Sequence, residues 1–376
     1  MRAHFMFGWC SLVLLAATPA AAKFTTLHSF STQNGDGLHP MAGLLAMQGT
    51  YYGATSDGGA NGYGTVFTIT PNGSYAIIYS FQGGDGHYPW SNLVADAAGN
   101  LYGTTQHGGQ GDNGTVFKIT PSGKMKLVHD FSVPGDGVAP AGTVTMDLAG
   151  NFYGTTLGGG TYGRGTIFKI ATDGTETVLW SFGRNNKDGI GPWGVTVDKQ
   201  GNLYGTTFQG GILERGIVFE FTAQGKEKVL YNFDVANGDG VAPTDAPIRD
   251  NDGNLFGTAS SGGGGNNGGA VFKLDRKGIE TTLHAFSNDD GCEPAGPLSA
   301  DKAGNLYGTT FACGAHGYGT VFKIAPDGTF TKLYDFEGLG DSGHSESGVT
   351  LDKRGRIFGT AGGEPDGDGS VFELVP

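Results

Sequence analysis

Residues 100–119, NLYGTTQHGGQGDNGTVFKI, contain the pattern that determines the fold of this 376-residue chain. The aromatic-Gly pair of this segment recurs every 50–52 residues, at Tyr52, Tyr102, Tyr153, Tyr204, Phe256, Tyr307 and Phe358. Each interval holds short runs of β-branched and aromatic residues separated by Gly, Pro, Asn and Asp, which indicate strands and turns. A repeat of this length made of short strands is typical of a β-propeller blade, and seven copies predict seven blades.

Each repeat contains four predicted strands, which in the second repeat are residues 92–96, 100–105, 114–119 and 126–131. The seventh repeat stops after its third strand, at residues 369–374. A matching fourth strand stands at the other end of the chain, where residues 24–30 resemble residues 281–286. We therefore expect an all-β, seven-bladed β-propeller with four antiparallel strands per blade, closed by an N-terminal strand that completes the last blade.

Residues 1–22 have the features of a secretory signal peptide, with Arg2, a short apolar stretch and three alanines before Lys23. We expect the propeller to fill residues 23–376, with no membrane span in the mature chain and a secreted or periplasmic location. The formal net charge of −13 argues against nucleic acid or anionic lipid as a partner. The sequence has no phosphate-binding loop, Gly-x-Ser-x-Gly or Cys-x-x-Cys motif, and we expect a monomer without a cofactor.

The repeat pattern resembles the GloVer tandem repeat of choice-of-anchor proteins. Its elements are Asp-x-x-Gly-Asn-Leu-Tyr-Gly-Thr-Thr, a Gly-Gly pair, Gly-Thr-Val-Phe-Lys-Ile and a closing Leu-Tyr-Ser-Phe, most complete in residues 100–119, 202–221 and 305–324. The resemblance covers essentially the whole mature chain and implies an extracytoplasmic location in bacteria, without an activity. Because no anchor segment follows Pro376, we expect free secretion or periplasmic residence. The turn and the Gly-Gly pair are more loosely similar to NHL-type and Kelch propellers.

Residues that occur in every repeat are expected to serve the fold. One aspartate series stands at the start of each blade, at Asp36, Asp85, Asp136, Asp188, Asp239, Asp290 and Asp341. A turn function is favoured for it over a carboxylate ring that holds a cation at the axis. The second series begins the turns of the opposite face and predicts Asx turns at Asp96, Asp147, Asp198, Asp250, Asp301 and Asp352. His28, His129 and His284 share an outer-strand position with tyrosines and are predicted to be packing residues.

Loop residues that depart from the repeat predict where a ligand binds. The loops that lead into blades 3 and 5 are small or aliphatic. Blades 7, 1 and 2 are neighbours in a closed ring, and their loops carry His39, His87, Tyr88, Trp90, His107, His344 and Glu346, which we call the loop sector. Trp193 extends the sector, and Arg164 and Arg215 interrupt nearby glycine-rich loops. Aromatic rings and arginines suit sugar rings and uronate carboxylates, whereas a metal held by His39, His344 and Glu346 is disfavoured.

Cys292 and Cys313 are predicted to form a disulfide. Both positions become cysteine only in blade 6, both lie on the loop face, and an exported chain enters an oxidising compartment. Catalytic cysteines are the disfavoured alternative.

Three functions stay open from the sequence. The favoured one is a binding propeller without catalysis, whose ligand is a carbohydrate or another small molecule. The second is a polysaccharide lyase or glycosidase for acidic glycans, in which His87 or Tyr88 abstracts a proton and Arg164 or Arg215 neutralises the uronate. The third is a scaffold for protein partners. Repeat folds serve all three, so the fold alone does not choose between them.

Overall fold

The computed structural model describes residues 22–33, 35–264, 267–338, 340–362 and 367–376. These residues form seven antiparallel sheets, each of which is one blade of the predicted seven-bladed propeller. One short 3-10 helix, Val235–Asn237, leads into blade 5. Within the described ranges, no helix has the length and apolar character needed to cross a membrane. The predicted signal peptide lies almost wholly outside the described residues.

Strands that follow one another along the chain pair within each of the first six blades. Blades 1 and 2 contain Leu45–Met47, Thr50–Thr55, Thr65–Ile69 and Tyr75–Ser80, then His87–Pro89 with Val94–Ala95, Leu101–His107, Thr115–Ile119 and Met125–Asp130. Blades 3 and 4 contain Gly137–Met146, Phe152–Gly159, Thr166–Ile170 and Glu176–Ser181, then Gly189–Val197, Leu203–Gly210, Ile217–Phe221 and Glu227–Asn232.

Blades 5 and 6 contain Gly240–Pro243 with Ile248–Arg249, Leu255–Gly262, Ala270–Leu274 and Glu280–Ala285, then Cys292–Ala300, Leu306–Ala312, Thr320–Ile324 and Phe330–Asp335. Blade 7 contains Thr350–Leu351, Ile357–Ala361, Ser370–Val375 and the N-terminal strand Lys23–Ser29. A separate pair, Gly37–Leu38 with Asp57–Gly58, lies in the loops of blade 1.

The recurring Tyr-Gly and Val-Phe pairs form the core of each blade. Gly103 pairs with Phe117 across the second and third strands, and a Cβ atom on Gly103 would lie 2.6 Å from Cζ of that ring. The corresponding distance is 2.4–2.6 Å in all seven blades, closer than real Cβ contacts come. The phenylalanine of each pair is almost completely buried. Glycine recurs in the motif because the aromatic ring occupies the space of its side chain.

In blades 4–7, the threonine that follows the motif glycine connects the blade to the next one near the axis. Thr206 Oγ1 in blade 4 donates to the Asp245 carbonyl in blade 5, at 2.9 Å. Thr360 Oγ1 in blade 7 donates to the Ala42 carbonyl in blade 1, at 3.0 Å. These bonds fix the inner strands relative to one another, because each carbonyl belongs to the inner part of the next blade.

The N-terminal strand closes the ring as predicted. Lys23–Ser29 pairs antiparallel with Ser370–Val375, and Lys23 lies opposite Val375. Phe24 stacks on Tyr334 of blade 6 with ring centroids 4.1 Å apart, and on Phe372 at 5.3 Å. The first strand of the chain therefore completes blade 7 and also packs against blade 6.

The aspartates at the blade starts bind the outer strand of the preceding blade. Asp136 Oδ2 lies 2.9 Å from His129 Nε2, and the Tyr231 hydroxyl donates a hydrogen bond to Asp239 Oδ2 at 2.6 Å. Asp136 also accepts the backbone N–H of Gly137 at 2.9 Å. The carboxylates therefore serve local structure beside the outer strands, as the turn function predicts. The histidines of this position do more than pack, because they hydrogen-bond these carboxylates.

The aspartates of the opposite face form the predicted Asx turns. Asp96 Oδ1 accepts the N–H groups of Ala98 and Asn100 at 3.0 and 2.9 Å, and the Tyr102 hydroxyl donates to Oδ2 at 3.1 Å. Burial raises the pKa of Asp96, but the hydrogen bonds from Asn100 and Tyr102 outweigh it and hold the pKa below its usual value. This network explains why Asp, Asn and Tyr recur together in the motif.

One position at the start of the outer strand divides six of the blades into two groups, and blade 2 has Met125 there. In blades 1, 6 and 7 it is aromatic, and Tyr75, for example, stacks on His28 with centroids 3.8 Å apart. In blades 3, 4 and 5 it is Glu176, Glu227 and Glu280. Burial, together with the negative charge of Asp188, raises the pKa of Glu227 to about 7. Glu280 has a pKa of about 7 for the same reason, next to Asp239.

Cys292 and Cys313 form the predicted disulfide. Their Cα atoms lie 5.3 Å apart and the sequence separation is 21 residues. Cys292 begins the inner strand of blade 6 and pairs with Ala312 at the end of the second strand. The bridge therefore holds the loop that leads into blade 6 against the glycine-rich loop of the same blade.

Candidate functional site

Seven residues with left-handed backbone conformation stand just before the inner strands or at their first residues. Their φ values lie between 49° and 62°, and we call them the rim residues: His39, Tyr88, Ala139, Gly191, Ala242, Glu293 and His344. The rim N–H groups donate hydrogen bonds to carbonyls in the glycine-rich loop of the preceding blade, as Ala242 does to the Arg215 carbonyl at 3.2 Å. Alanine, histidine and tyrosine all adopt this strained conformation at the rim. Because the conformation does not depend on the side chain, the fold imposes it. The rim is thus a fixed backbone frame with variable side chains.

A cavity of about 230 Å³ lies at the axis. Residues two positions after the rim line it in six blades, at Met41, Trp90, Trp193, Thr244, Ala295 and Glu346, and blade 3 contributes Gly142. Because all seven blades take part, this central cavity is the mouth of the propeller channel on the loop face.

Two tryptophans form one wall of the central cavity. The Trp90 and Trp193 rings meet edge to face, with centroids 6.2 Å apart and an interplanar angle of 87°. The ring centroid of Tyr88 lies 5.5 Å from that of Trp90, on the side of the rim. Blade 3, which stands between the two tryptophans, has Ala141 and Gly142 at the inner positions. These small residues leave room for the indoles of blades 2 and 4 to meet.

Carboxylates from the other blades also line the central cavity, at Asp245, Glu293 and Glu346. Asp245 is only 7% exposed, and its Oδ1 accepts the N–H groups of Thr143 and Ala246 at 3.1 and 2.6 Å. Burial raises the pKa of Asp245 to about 6, and these hydrogen bonds limit the increase. Among the described residues that line this cavity, none is lysine, arginine or histidine.

A second pocket of about 350 Å³ adjoins the central cavity and shares three lining residues with it. This side pocket contains His39, Asp57, Tyr88 and His344. His39 Nδ1 lies 3.3 Å from Asp57 Oδ2, and Ser56 donates to the same oxygen at 2.7 Å. Burial raises the pKa of Asp57, but the hydrogen bonds from His39 and Ser56 lower it below its usual value. The pair is a carboxylate that orients an imidazole.

The His344 imidazole has a defined orientation in the side pocket. Its Nδ1 lies 3.0 Å from the carbonyl oxygen of Phe311. A carbonyl oxygen only accepts, so Nδ1 carries the hydrogen, and in neutral His344 the Nε2 atom is the acceptor. The two histidines of the pocket are therefore both held through Nδ1.

The structure brings most of the loop sector together. Trp90, Trp193 and Glu346 line the central cavity, and His39, Tyr88, His344 and again Glu346 line the side pocket. His87 and His107 flank the pockets with ring centroids 6.0 Å apart, and they line neither one.

The arginines do not join the site. Arg164 and Arg215 are exposed, and neither lines a pocket with the sector. Their backbone carbonyls accept the rim N–H groups of Gly191 and Ala242 instead. The expectation that these arginines neutralise a ligand carboxylate therefore has no geometric support.

Sequence reasoning missed Asp245 and Glu293. The loop into blade 5 is small and aliphatic at residues 241–243, yet Asp245 follows two residues later. Its signal is a carboxylate where four other blades have alanine or glycine. Glu293 occupies the rim position next to Cys292, and comparison with Tyr88 and His344 at the same position would have found it.

One group of described residues has the spacing of metal ligands. The potential ligand atoms of His129, Asp136 and Glu176 lie within 4.8 Å of one another. This group belongs to the outer strands, where the same histidine–aspartate contact recurs at His284 and Asp290 without a glutamate. We therefore assign it to blade packing. His39, His344 and Glu346 do not form such a group in the described part of the chain.

The family is shown by a match that spans the propeller. The model of the Gloeobacter/Verrucomicrobia repeat matches residues 13–216 and 192–376. The chain belongs to this repeat family. No curated protein matches this Gloeobacter/Verrucomicrobia repeat protein.

Solved structures share the propeller fold at low sequence identity. The extracellular domain of BT3049 from B. thetaiotaomicron, named as a hybrid two-component system, is 14% identical with a TM-score of 0.62. The match covers 94% of this chain and 41% of that one. XC5397 from Xanthomonas campestris, named as a gluconolactonase, is 13% identical with a TM-score of 0.51, covering 97% of this chain and 93% of that one. The repeat protein thus spans about two fifths of the BT3049 extracellular domain, and these likenesses show the fold alone.

Proposed function

We propose that this Gloeobacter/Verrucomicrobia repeat protein is an extracytoplasmic binding protein that holds a carbohydrate in its central cavity. The observation that carries the proposal is the Trp90–Trp193 wall in a cavity that carboxylates also line. Indole faces pack against the apolar faces of sugar rings, and carboxylate oxygens accept hydrogen bonds from sugar hydroxyls.

The architecture supports binding by a rigid site. The rim and the inner strands are fixed by backbone hydrogen bonds and by threonines that connect neighbouring blades. The side chains that line the cavity vary between blades while the frame stays constant. A preformed cavity loses little conformational freedom when it binds, which favours recognition.

An extracytoplasmic location is part of the proposal. The disulfide between Cys292 and Cys313 is stable in an oxidising compartment, and residues 1–22 have the pattern of a signal peptide. BT3049 and BT4673 of B. thetaiotaomicron, which share the fold, are described by their extracellular domains.

A hydrolase is the second candidate, and the His39–Asp57 pair favours it. A histidine oriented by a carboxylate can act as a general base, and the side pocket opens next to the central cavity. XC5397, which has the same fold, is named as a gluconolactonase. An enzyme for acidic glycans has less support, because the arginines lie outside both pockets and the central cavity is acidic.

A glycan array followed by calorimetry tests the binding function. We expect the purified protein to bind a defined glycan, and Trp90→Ala with Trp193→Ala to weaken binding at least about tenfold. Tyr162→Ala is the matched control, since Tyr162 is an exposed loop aromatic outside both pockets. Normal binding by the double variant would refute the site. Product formation from the bound glycan that is lost in His39→Ala would establish the hydrolase instead, and a protein partner without glycan binding would establish a scaffold.

A further inference from the structure

We infer that the central cavity selects a positively charged sugar, with a protonated amino group as the recognised feature. This inference rests on the proposed function, because it assumes that the ligand occupies the central cavity. It names the ligand class as an amino sugar or a short oligomer of one, and it excludes the uronates that the sequence suggested.

The distribution of charge in the cavity gives the first argument. Asp245, Glu293 and Glu346 come from the consecutive blades 5, 6 and 7, and the described lining of this cavity includes no basic residue type. A uronate would add a fourth negative charge to this set, whereas an ammonium group would be attracted to it. Asp245 is 7% exposed, so water screens its charge weakly. Burial also disfavours ionised Asp245, and a bound cation would relieve this cost.

The aromatic wall gives the second argument. Ammonium groups bind over the faces of indole rings, and tryptophan is the best side chain for this contact. Because Trp90 and Trp193 meet edge to face at 87°, they present two differently oriented faces near one point. A sugar ring that stacks on one indole can place its amino group toward the carboxylates. Neutral sugars would use the stacking but gain nothing from the charges.

The net charge of the whole protein also favours a positively charged ligand. Its formal net charge is −13, so its surface attracts cations over distances comparable to the screening length. Association with a cationic oligomer is expected to slow as salt is added, and association with a neutral oligomer is not.

The test is calorimetric titration with three oligomers of equal length: β-1,4-linked glucosamine, its fully N-acetylated counterpart and galacturonate. The pH is chosen so that the glucosamine amines are protonated, and calcium chloride alone is titrated in parallel. We expect glucosamine to bind at least about tenfold more tightly than the N-acetylated oligomer, and galacturonate not to bind. Glu293→Gln should reduce the glucosamine affinity about tenfold and leave the affinity for the N-acetylated oligomer unchanged. Glu337→Gln, an exposed carboxylate outside the cavity, should change neither.

The outcomes separate this inference from the proposed function. Equal binding of the glucosamine and N-acetylated oligomers would overturn charge selection while leaving carbohydrate binding in place. Tighter binding of galacturonate, or a response to calcium without one to glucosamine, would also overturn it. Loss of binding to all oligomers in a glycan-wide screen would refute the proposed function itself. Melting curves of Glu293→Gln guard against a folding defect, and Glu346→Gln provides a second variant if that one unfolds.

Discussion

Replacing Glu227 by glutamine should stabilise the protein at alkaline pH and have no effect in acid. Glu227 stands where other blades carry a stacked aromatic, and its Oε1 is buried without a hydrogen-bond partner among the described residues. Burial and the charge of Asp188 raise its pKa from 4.5 to about 7. A pKa raised in the folded state means that the folded protein binds more protons than the unfolded chain between these two values. The contribution of Glu227 to stability is therefore fully present below about pH 4.5 and is lost as the pH rises through about 7.

The magnitude follows from the size of the shift. An increase from 4.5 to about 7 corresponds to about 3 kcal/mol at its full value. Glu227 is partly exposed, so solvent screening reduces the expected effect to about 1–2 kcal/mol. Glutamine keeps the shape of the side chain, can donate a hydrogen bond toward Asp188 and has no proton to lose. The free energy of unfolding of the variant should therefore exceed that of the wild type by this amount at about pH 8 and equal it near pH 4.5.

Urea denaturation at a series of pH values measures the effect. The midpoint difference between Glu227→Gln and the wild type should grow from zero in acid to its full value above about pH 7. Glu280→Gln should behave alike, since Glu280 has the same position and a pKa of about 7. Glu337→Gln, at an exposed site, serves as the control. A difference that is independent of pH, or a variant less stable than the wild type at about pH 8, would show that the carboxyl is not held protonated.

Three further variants test the fold. Phe24→Ala should cost about 1–3 kcal/mol in urea denaturation, because the partly buried ring packs at the junction of blades 6 and 7, and an unchanged midpoint would contradict ring closure by this strand. Cys292→Ser with Cys313→Ser should cost about 3 kcal/mol for a separation of 21 residues, and the reduced wild type should match the variant. Gly205→Ala should cost about 1–3 kcal/mol or more, because its Cβ would lie 2.4 Å from a buried phenylalanine ring, and a variant of wild-type stability would refute the packing argument.

The fold was predictable because the seven repeats of the chain can be aligned with one another. Seven copies of one motif show which residues the blade requires, and the Gly103–Phe117 contact gives the physical reason for two of them. The closure by residues 24–30 followed from counting strands, since the last repeat lacked one.

The site was predictable only in part. Trp90 and Glu346 stood out because their side chains differ in kind from those of other blades. Asp245 was missed because it lies beyond the small and aliphatic residues 241–243, and because the left-handed backbone at Ala242, which precedes it in the loop, is not visible in the sequence. Arg164 illustrates the same limit. Its charged side chain suggested a ligand contact, whereas its backbone carbonyl accepts a hydrogen bond from the neighbouring blade.

The closing strand has a consequence for the order in which the molecule assembles. Pairs within a blade join residues that are close in the sequence, so each blade can fold soon after it is made. The pairing of Lys23 with Val375 joins residues from the two ends of the propeller and must wait for the last blade. The earliest part of the propeller to be synthesised is thus the last to be placed. Until it docks, Ser370–Val375 presents an unpaired strand edge, and the nascent ring is most prone to aggregate in this interval.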